Sequence, residues 1–262
     1  AAELVELAMP VMRRTRQEAM LLGWFKALPD EVLSCRPVLS AVYAGTLLQN
    51  GEVVGVEKRL RDAEWWLDAS LTFSSSKPPL VGQAGADSAP KGTLVVIDQE
   101  EFRRLPAWLA IYRAGQALMR GDVHDTLLCA QRARDYLVED DQLGRGAAAA
   151  LLGLAQWAGG DLDAAYRTYA EGMANLQQVG FLSDAIGGAI ALADIRITQG
   201  RLREAMRIYE EALQLATTQD TLVLRGTADM HVGLSELYRE RNDLDIAKQH
   251  LSDSQALGEQ MG

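Results

Sequence analysis

The sequence predicts an all-α fold in which consecutive helical hairpins form a solenoid. Three observations support this prediction. Hydrophobic residues make up 48% of the chain and charged residues 24%, a composition typical of a soluble, packed protein. A short turn motif recurs along the chain. On both sides of the motif, apolar residues return every three or four positions, as they do on one face of a helix.

The turn motif occurs four times, at intervals of 39, 40 and 42 residues. Its copies are Gly121-Asp122, Gly160-Asp161, Gly200-Arg201 and Asn242-Asp243, with a weaker earlier copy at Asn50-Gly51. A glycine or asparagine can end a helix in the left-handed backbone conformation, and an aspartate after it can cap the next helix. Each copy therefore predicts the turn of a helical hairpin.

The elements follow one another along the chain in three segments. Residues 1–71 are predicted to form N-terminal hairpins, and Pro10 is expected to kink or restart the first helix. Residues 72–98 are predicted to form a flexible loop, because the chain from Thr72 to Gly92 is rich in Ser, Pro and Gly and has no periodicity. Residues 99–262 are predicted to form the regular repeats. We expect one continuous domain and a segment of a longer protein.

The residues around each turn follow a fixed order. A leucine and a small residue lie eight and seven positions before it, an alanine five positions after it, and an aromatic or aliphatic residue nine positions after it. The residues that fill these positions are Leu152-Gly153, Leu192-Ala193 and Leu234-Ser235, then Ala165, Ala205 and Ala247, then Tyr169, Tyr209 and Leu251. This is the tetratricopeptide (TPR) pattern, lengthened from about 34 to about 40 residues, and it predicts a right-handed superhelix.

Charge and cysteine content argue against several classes of function. A net charge of −10 and a pI of about 4.9 leave no broad cationic surface for phosphates, so direct contact with nucleic acid is not expected. Cys35 and Cys129 are the two cysteines and lie far apart in the sequence, which argues against a disulfide framework. This cysteine content is typical of proteins in a reducing compartment, so we expect the cytoplasm. Neither a signal peptide nor a membrane-spanning segment fits the apolar runs of the sequence.

The sequence contains no phosphate-binding loop, dinucleotide-binding glycine motif or nucleophile elbow. His124, His231 and His250 are expected on different repeats and lie outside any metal-binding motif. A metal site would need residues distant in sequence to converge, so none is predicted. The sequence therefore predicts a protein that is not an enzyme and carries no cofactor.

A TPR superhelix offers a concave groove lined by the first helix of each hairpin. Here the groove positions are apolar around one tryptophan and acidic, with one arginine, towards the end of the chain. The candidate ligand-binding residues are Trp157, Asp194, Asp229, Glu236 and Arg239. An aromatic face with carboxylates suits a small neutral or polyhydroxylated ligand. Alternatively, Trp157 packs against the next repeat and the acidic residues are only solvated.

Three stretches of the chain resemble one family of regulators. The first stretch is Trp24-Phe25-Lys26-Ala27-Leu28-Pro29-Asp30-Glu31, followed by Arg36-Pro37 and Tyr43-Ala44. The second is residues 199–205. The third is residues 237–251, and this stretch is similar to the family motif L-Y-E-W-N-D-L-x-x-A-x-x-H-L. The family is the MalT-like large ATP-binding LuxR-type (LAL) transcription regulators. The resemblance covers nearly the whole chain outside residues 72–92. Arg241 stands where the family has Trp, and the resemblance does not identify the inducer.

The resemblance implies that the chain is the superhelical sensor domain of such a regulator. In this family an NTPase and a winged-helix domain precede the sensor and a helix-turn-helix domain follows it. The inducer, where known, binds the sensor and lets the NTPase part oligomerise. The expected partners are a small-molecule inducer, with a maltotriose-like sugar as one candidate, or a regulatory protein, together with the other domains of the regulator. The alternative is a generic TPR scaffold that binds peptides and assembles protein complexes.

Overall fold

The computed structural model describes residues 1–14, 17–72, 92–217, 224 and 226–261. Every regular element in these ranges is a helix, which confirms the predicted all-α fold. Most of the predicted loop, residues 73–91, lies outside the described residues. Residues 92–98 contain no helix, and the Val95 N–H donates a hydrogen bond to the Cys35 carbonyl at 2.9 Å. No helix in the described ranges is long and apolar enough to cross a membrane.

The described residues form two compact units, Ala1–Val138 and Glu139–Gly262. The first unit contains seven helices within its described part. They are α1 (Ala2–Arg14), α2 (Glu18–Ala27), α3 (Asp30–Ser34), α4 (Pro37–Gln49), α5 (Val56–Thr72), α6 (Gln99–Met119) and α7 (Val123–Tyr136). Helix α1 continues through Pro10, so of the two expected effects the restart does not occur, and the kink stays a prediction.

The core of the first unit is built on fully buried side chains such as Leu21, Phe25 and Leu39. Phe25 of α2 stacks on Tyr43 of α4, with ring centroids 4.9 Å apart. These apolar contacts hold α2 and α4 together because each buried side chain removes apolar surface from water.

The second unit contains six helices within its described part. They are α8 (Gln142–Ala158), α9 (Leu162–Gln178), α10 (Leu182–Thr198), α11 (Leu202–Thr217), α12 (Thr227–Glu240) and α13 (Leu244–Met261). They pair in order as three hairpins, α8–α9, α10–α11 and α12–α13, and neighbouring hairpins pack through α9 with α10 and α11 with α12. This nearest-neighbour packing is the arrangement of TPR-like repeats.

The hairpin turns have the geometry that the sequence predicts. Gly160, Gly200 and Asn242 have φ angles of 87°, 73° and 64°, in the left-handed region. The Asp161 carboxylate accepts a hydrogen bond from the Ala164 N–H at 3.0 Å and so caps α9. Ala165 after the first of these turns is completely buried, which lets the two helices of the hairpin approach closely.

Candidate ligand-binding face

Two of the predicted groove residues meet in the second unit. Helices α10 and α12 are in contact, and Asp194 of α10 and Glu236 of α12 are near enough to interact electrostatically. Burial raises the pKa of Asp194, and the negative charge of Glu236 raises it further. The two residues occupy the same position in successive repeats, six residues before the turn, which is why the stacking of the hairpins brings them together.

Tyr209 of α11 lies near enough to this acidic pair to interact electrostatically with both carboxylates. Its ring packs against the backbone of Gly233 in α12, which has no Cβ to obstruct it. Burial raises the pKa of Tyr209 to about 12, with smaller contributions from the charges of Asp194 and Glu236. Tyr209 therefore keeps its hydroxyl proton at neutral pH and is a hydrogen-bond donor beside two carboxylates.

The acidic pair has no internal counter-cation among the described residues. The cation on α10, Arg196, pairs with Glu204 at 3.0 Å and lies over the Tyr166 ring, 3.4 Å from its centroid. No ion pair in the described part of the chain involves Asp194 or Glu236. A ligand that offers hydroxyl groups or positive charge would supply the donors that these carboxylates lack.

Apolar side chains border the acidic pair. Ile197 is 37% exposed and Val232 is 38% exposed. Ile197 follows Asp194 by three positions and Val232 precedes Glu236 by four, so each shares a helix face with one carboxylate. We call the surface formed by Asp194, Ile197, Val232 and Glu236 the α10–α12 face.

The other predicted ligand-binding residues are not joined to this pair. Trp157 is half-buried on α8, and Asp229 is exposed in the first turn of α12. Arg239 is also exposed, and its guanidinium forms an ion pair with Glu240 at 3.0 Å. No hydrogen bond or ion pair of the described residues connects these three side chains to Asp194 or Glu236. Their part in ligand binding stays a prediction.

The structure contradicts the expectation that His231 and His250 lie on different repeats. They lie on α12 and α13 of one hairpin, with their Nδ1 atoms 2.9 Å apart. Asp253 of α13 lies beside them, and its Oδ2 is 3.9 Å from His231 Nδ1. Burial lowers the pKa of His231, and the neighbouring His250 lowers it further. Sequence motifs missed this cluster because it depends on side chains that face each other across a turn.

A cavity of about 180 Å³ lies in the first unit. It is lined by Glu64, Pro106, Leu109, Ala110, Arg113, Cys129 and Arg132. Burial raises the pKa of the Cys129 thiol, so this cysteine is not activated as a nucleophile. Arg113 is held by Glu64 through two hydrogen bonds of 2.8 and 2.6 Å. Its charge is therefore already compensated within the protein.

The paired helices, left-handed turns and nearest-neighbour packing define a helical-repeat protein of the TPR-like class. Residues 107–262 match the MalT-like TPR region, and the chain belongs to this family. No curated protein matches the chain.

Solved structures are similar in fold. BtubC (BKLC) from P. vanneervenii has a TM-score of 0.59 and 12% identity, over 98% of this chain and 87% of that chain. A Podospora anserina protein assigned to the kinesin light chains, with nearly identical TPR-like repeats, has a TM-score of 0.53 and 13% identity, over 85% of this chain and 94% of that chain. A Q17M form of that protein has a TM-score of 0.54, also at 13% identity and with the same coverage of both chains. At these identities the similarity establishes the TPR-like fold.

Proposed function

We propose that the chain is the effector-sensing and protein-interaction domain of a cytoplasmic, bacterial LuxR-type transcriptional activator. It binds a small inducer or a partner protein on the groove side of its hairpins, with the α10–α12 face at the centre. The observation that carries the ligand part is the proximity of Asp194 and Glu236 to each other and to Tyr209, without an ion-pair partner for either carboxylate in the described part of the chain. Membership of the MalT-like TPR region supports the regulatory part.

The chemistry of the α10–α12 face suits a polyhydroxylated ligand. Its two carboxylates accept hydrogen bonds from the hydroxyl groups of such a ligand. Ile197 and Val232 cover the less polar face of such a ligand. In our proposal the ligand-binding surface also includes three residues outside the α10–α12 face. They are Trp157 on α8, and Asp229 and Arg239 on α12.

Binding at this place would couple neighbouring repeats. A ligand held by Asp194 and Glu236 contacts two consecutive hairpins at once. Because each repeat packs mainly on its neighbours, a ligand that fixes one interface changes the preferred arrangement of the array. Such a change is how the sensor would influence an attached NTPase domain, as a coupling between two sites and not as catalysis.

Thermal unfolding with a panel of oligosaccharides, polyols and glycosides tests the ligand part. A true ligand should raise the Tm of the wild-type chain in proportion to the logarithm of its concentration. Asp194→Asn and Glu236→Gln should each remove this ligand-induced rise, measured from the variant's own baseline. Glu210→Gln, an exposed position on α11, is the matched control and should retain it. If no small molecule stabilises the chain but a partner protein does, the inducer part is wrong.

The coding sequence on either side of this chain tests the regulatory part. We expect an NTPase domain upstream and a helix-turn-helix domain downstream in the same reading frame. A frame without these domains would contradict the activator assignment and leave the TPR-like fold unaffected.

A generic TPR scaffold is the second candidate function. The exposure of Ile197 and Val232 favours it, since apolar side chains on a groove face also suit an extended or helical peptide. Selection from a random-peptide library distinguishes the two functions. Enrichment of one sequence class, lost in Val232→Asp and kept in Glu210→Gln, would support the scaffold.

A further inference from the structure

The hairpin of α12 and α13 brings together three groups that are common metal ligands. The Nδ1 atoms of His231 and His250 are 2.9 Å apart, and Asp253 Oδ2 lies 3.9 Å from His231 Nδ1. One ligand atom from each of the three residues lies within 4.8 Å of the other two. All three side chains are half-buried, so an ion could reach them from solvent and still be partly shielded from it.

The spacing of the nitrogens matches that of two ligands on one ion. A transition-metal ion about 2.0–2.1 Å from each of two nitrogens separates them by roughly 2.8 to 3.4 Å, for ligand angles between about 90° and 109°. The observed 2.9 Å lies within this range. Both rings present Nδ1, which leaves each Nε2 to carry the proton of a neutral imidazole.

Neighbouring side chains hold two of the three groups in place. The Tyr238 ring stacks on His250 with centroids 5.5 Å apart and an angle of 18° between the planes. Gln249 Nε2 donates a hydrogen bond to Asp253 Oδ1 at 2.8 Å, and the other carboxylate oxygen faces His231. A hydrogen bond to a ligating carboxylate, such as the one from Gln249, is typical of metal sites in proteins.

We infer that His231, His250 and Asp253 bind one divalent transition-metal ion and thereby link α12 to α13. Two imidazoles and one carboxylate suit Zn²⁺, Cu²⁺, Ni²⁺ or Co²⁺, whereas Mg²⁺ and Ca²⁺ prefer oxygen ligands throughout. Three protein ligands leave a coordination position open for water or another ligand. This site involves none of the residues of the α10–α12 face, so the inference does not rest on the proposed function.

Zinc binding to the metal-free chain of residues 1–262 tests the inference. Isothermal titration calorimetry with Zn²⁺ should give saturable binding of one ion per chain, and Mg²⁺ should give none. At about a hundredfold excess over the Kd, Zn²⁺ should raise the Tm by roughly 5–10 °C. Co²⁺ in place of Zn²⁺ should give visible d–d absorption, which reports directly on the ligands.

Matched variants locate the site. His231→Gln, His250→Gln and Asp253→Asn should each weaken Zn²⁺ binding by at least about tenfold and remove the Co²⁺ absorption. His124→Gln, an exposed histidine in the first unit, should change neither. Circular dichroism of each metal-free variant verifies that its helices are intact. Asp253→Asn changes the side-chain volume least, so it is the variant least expected to disturb the fold.

Two results would overturn the inference. The first is the absence of saturable Zn²⁺ binding to the wild-type chain. The second is Zn²⁺ binding that survives in folded Asp253→Asn and in both histidine variants. In either case the two histidines form only a hydrogen bond between their rings.

Discussion

Tyr209 lies so close to Gly233 that a Cβ atom on residue 233 would stand 2.3 Å from Tyr209 Cζ. Tyr209 is only 3% exposed, so its ring cannot move aside into solvent. Gly233→Ala should therefore destabilise the protein, since overpacking a core costs about 1–3 kcal/mol and the better helix propensity of alanine returns at most about 1 kcal/mol. Urea denaturation followed by circular dichroism measures the change in the free energy of unfolding.

Gly187→Ala is the matched control for this substitution. Gly187 also lies inside a helix, α10, but a Cβ at this position meets nothing within 4 Å. The variant should gain about 0.5–1 kcal/mol of stability, because alanine loses less backbone entropy on folding than glycine. If both substitutions changed the free energy of unfolding equally, the close contact between Tyr209 and Gly233 would make no contribution to stability.

Asp194→Asn should stabilise the free protein at pH 7. Burial and the charge of Glu236 raise the pKa of Asp194 above its unfolded value of 3.8. The protonated carboxyl thus favours folding at lower pH, and this contribution is lost as the pH rises through the raised pKa. Relief of the like-charge contact should gain about 0.2–0.5 kcal/mol at neutral pH.

The pH dependence of this variant provides the check. Thermal unfolding from pH 3 to pH 7 should show the stability gain of Asp194→Asn growing with pH. The same variant should lose ligand-induced stabilisation, so stability and binding change in opposite directions. A loss of stability at pH 7 would mean that the Asp194 carboxylate has a structural role.

The sequence predicted the features that depend on the order of residues within one repeat. The turns at Gly160 and Gly200 follow from spacing and helix-ending chemistry. The sequence predicted Asp194 and Glu236 separately as groove residues, and their equal positions in adjacent repeats explain why the structure brings them near each other. Local order explains these features because a repeat fixes which positions face one side of the array.

Contacts between particular helix faces could not be predicted in the same way. His231 lies 11 residues before Asn242 and His250 lies 8 residues after it, so only the antiparallel packing of α12 on α13 brings them together. Arg113 reaches Glu57 and Glu64 on α5, although the predicted loop lies between them in the sequence. Such pairs depend on the rotation of each helix about its axis, which hydrophobic periodicity defines only coarsely.

Asn242→Gly should stabilise the second unit. Asn242 has a φ angle of 64°, at a position where the preceding repeats have glycine. A residue with a Cβ is strained in this conformation, and asparagine less so than most. Glycine should therefore gain a few tenths of a kcal/mol, and Asn242→Ala should cost about 1 kcal/mol. Urea denaturation checks this order of stability, glycine above asparagine above alanine, and any other order would contradict the strain at this turn.

Glu57 should make the first unit sensitive to acid. Burial alone would raise its pKa, but hydrogen bonds and charge from Arg113, with hydrogen bonds from Gln116 and Arg61, lower it from 4.5 to about 2. Because the folded state favours the charged carboxylate, its stabilisation is present above pH 4.5 and is lost as the pH falls towards 2. The side chain is 42% exposed, so solvent screening reduces this contribution to about 1 kcal/mol.

Glu57→Gln tests this link between one ion pair and the acid response. The variant should be less stable than wild type at pH 7, and the free energy of unfolding should fall less steeply between pH 5 and pH 2. Glu31→Gln, an exposed position on α3, should retain the part of the slope that Glu57 provides. Tryptophan fluorescence follows the transition mainly in the first unit, because four of the five tryptophans lie there, Trp24, Trp65, Trp66 and Trp108, and Trp157 lies in the second. An unchanged slope in Glu57→Gln would mean that other carboxylates set the acid response, and that Arg113 is held mainly by the buried Glu64.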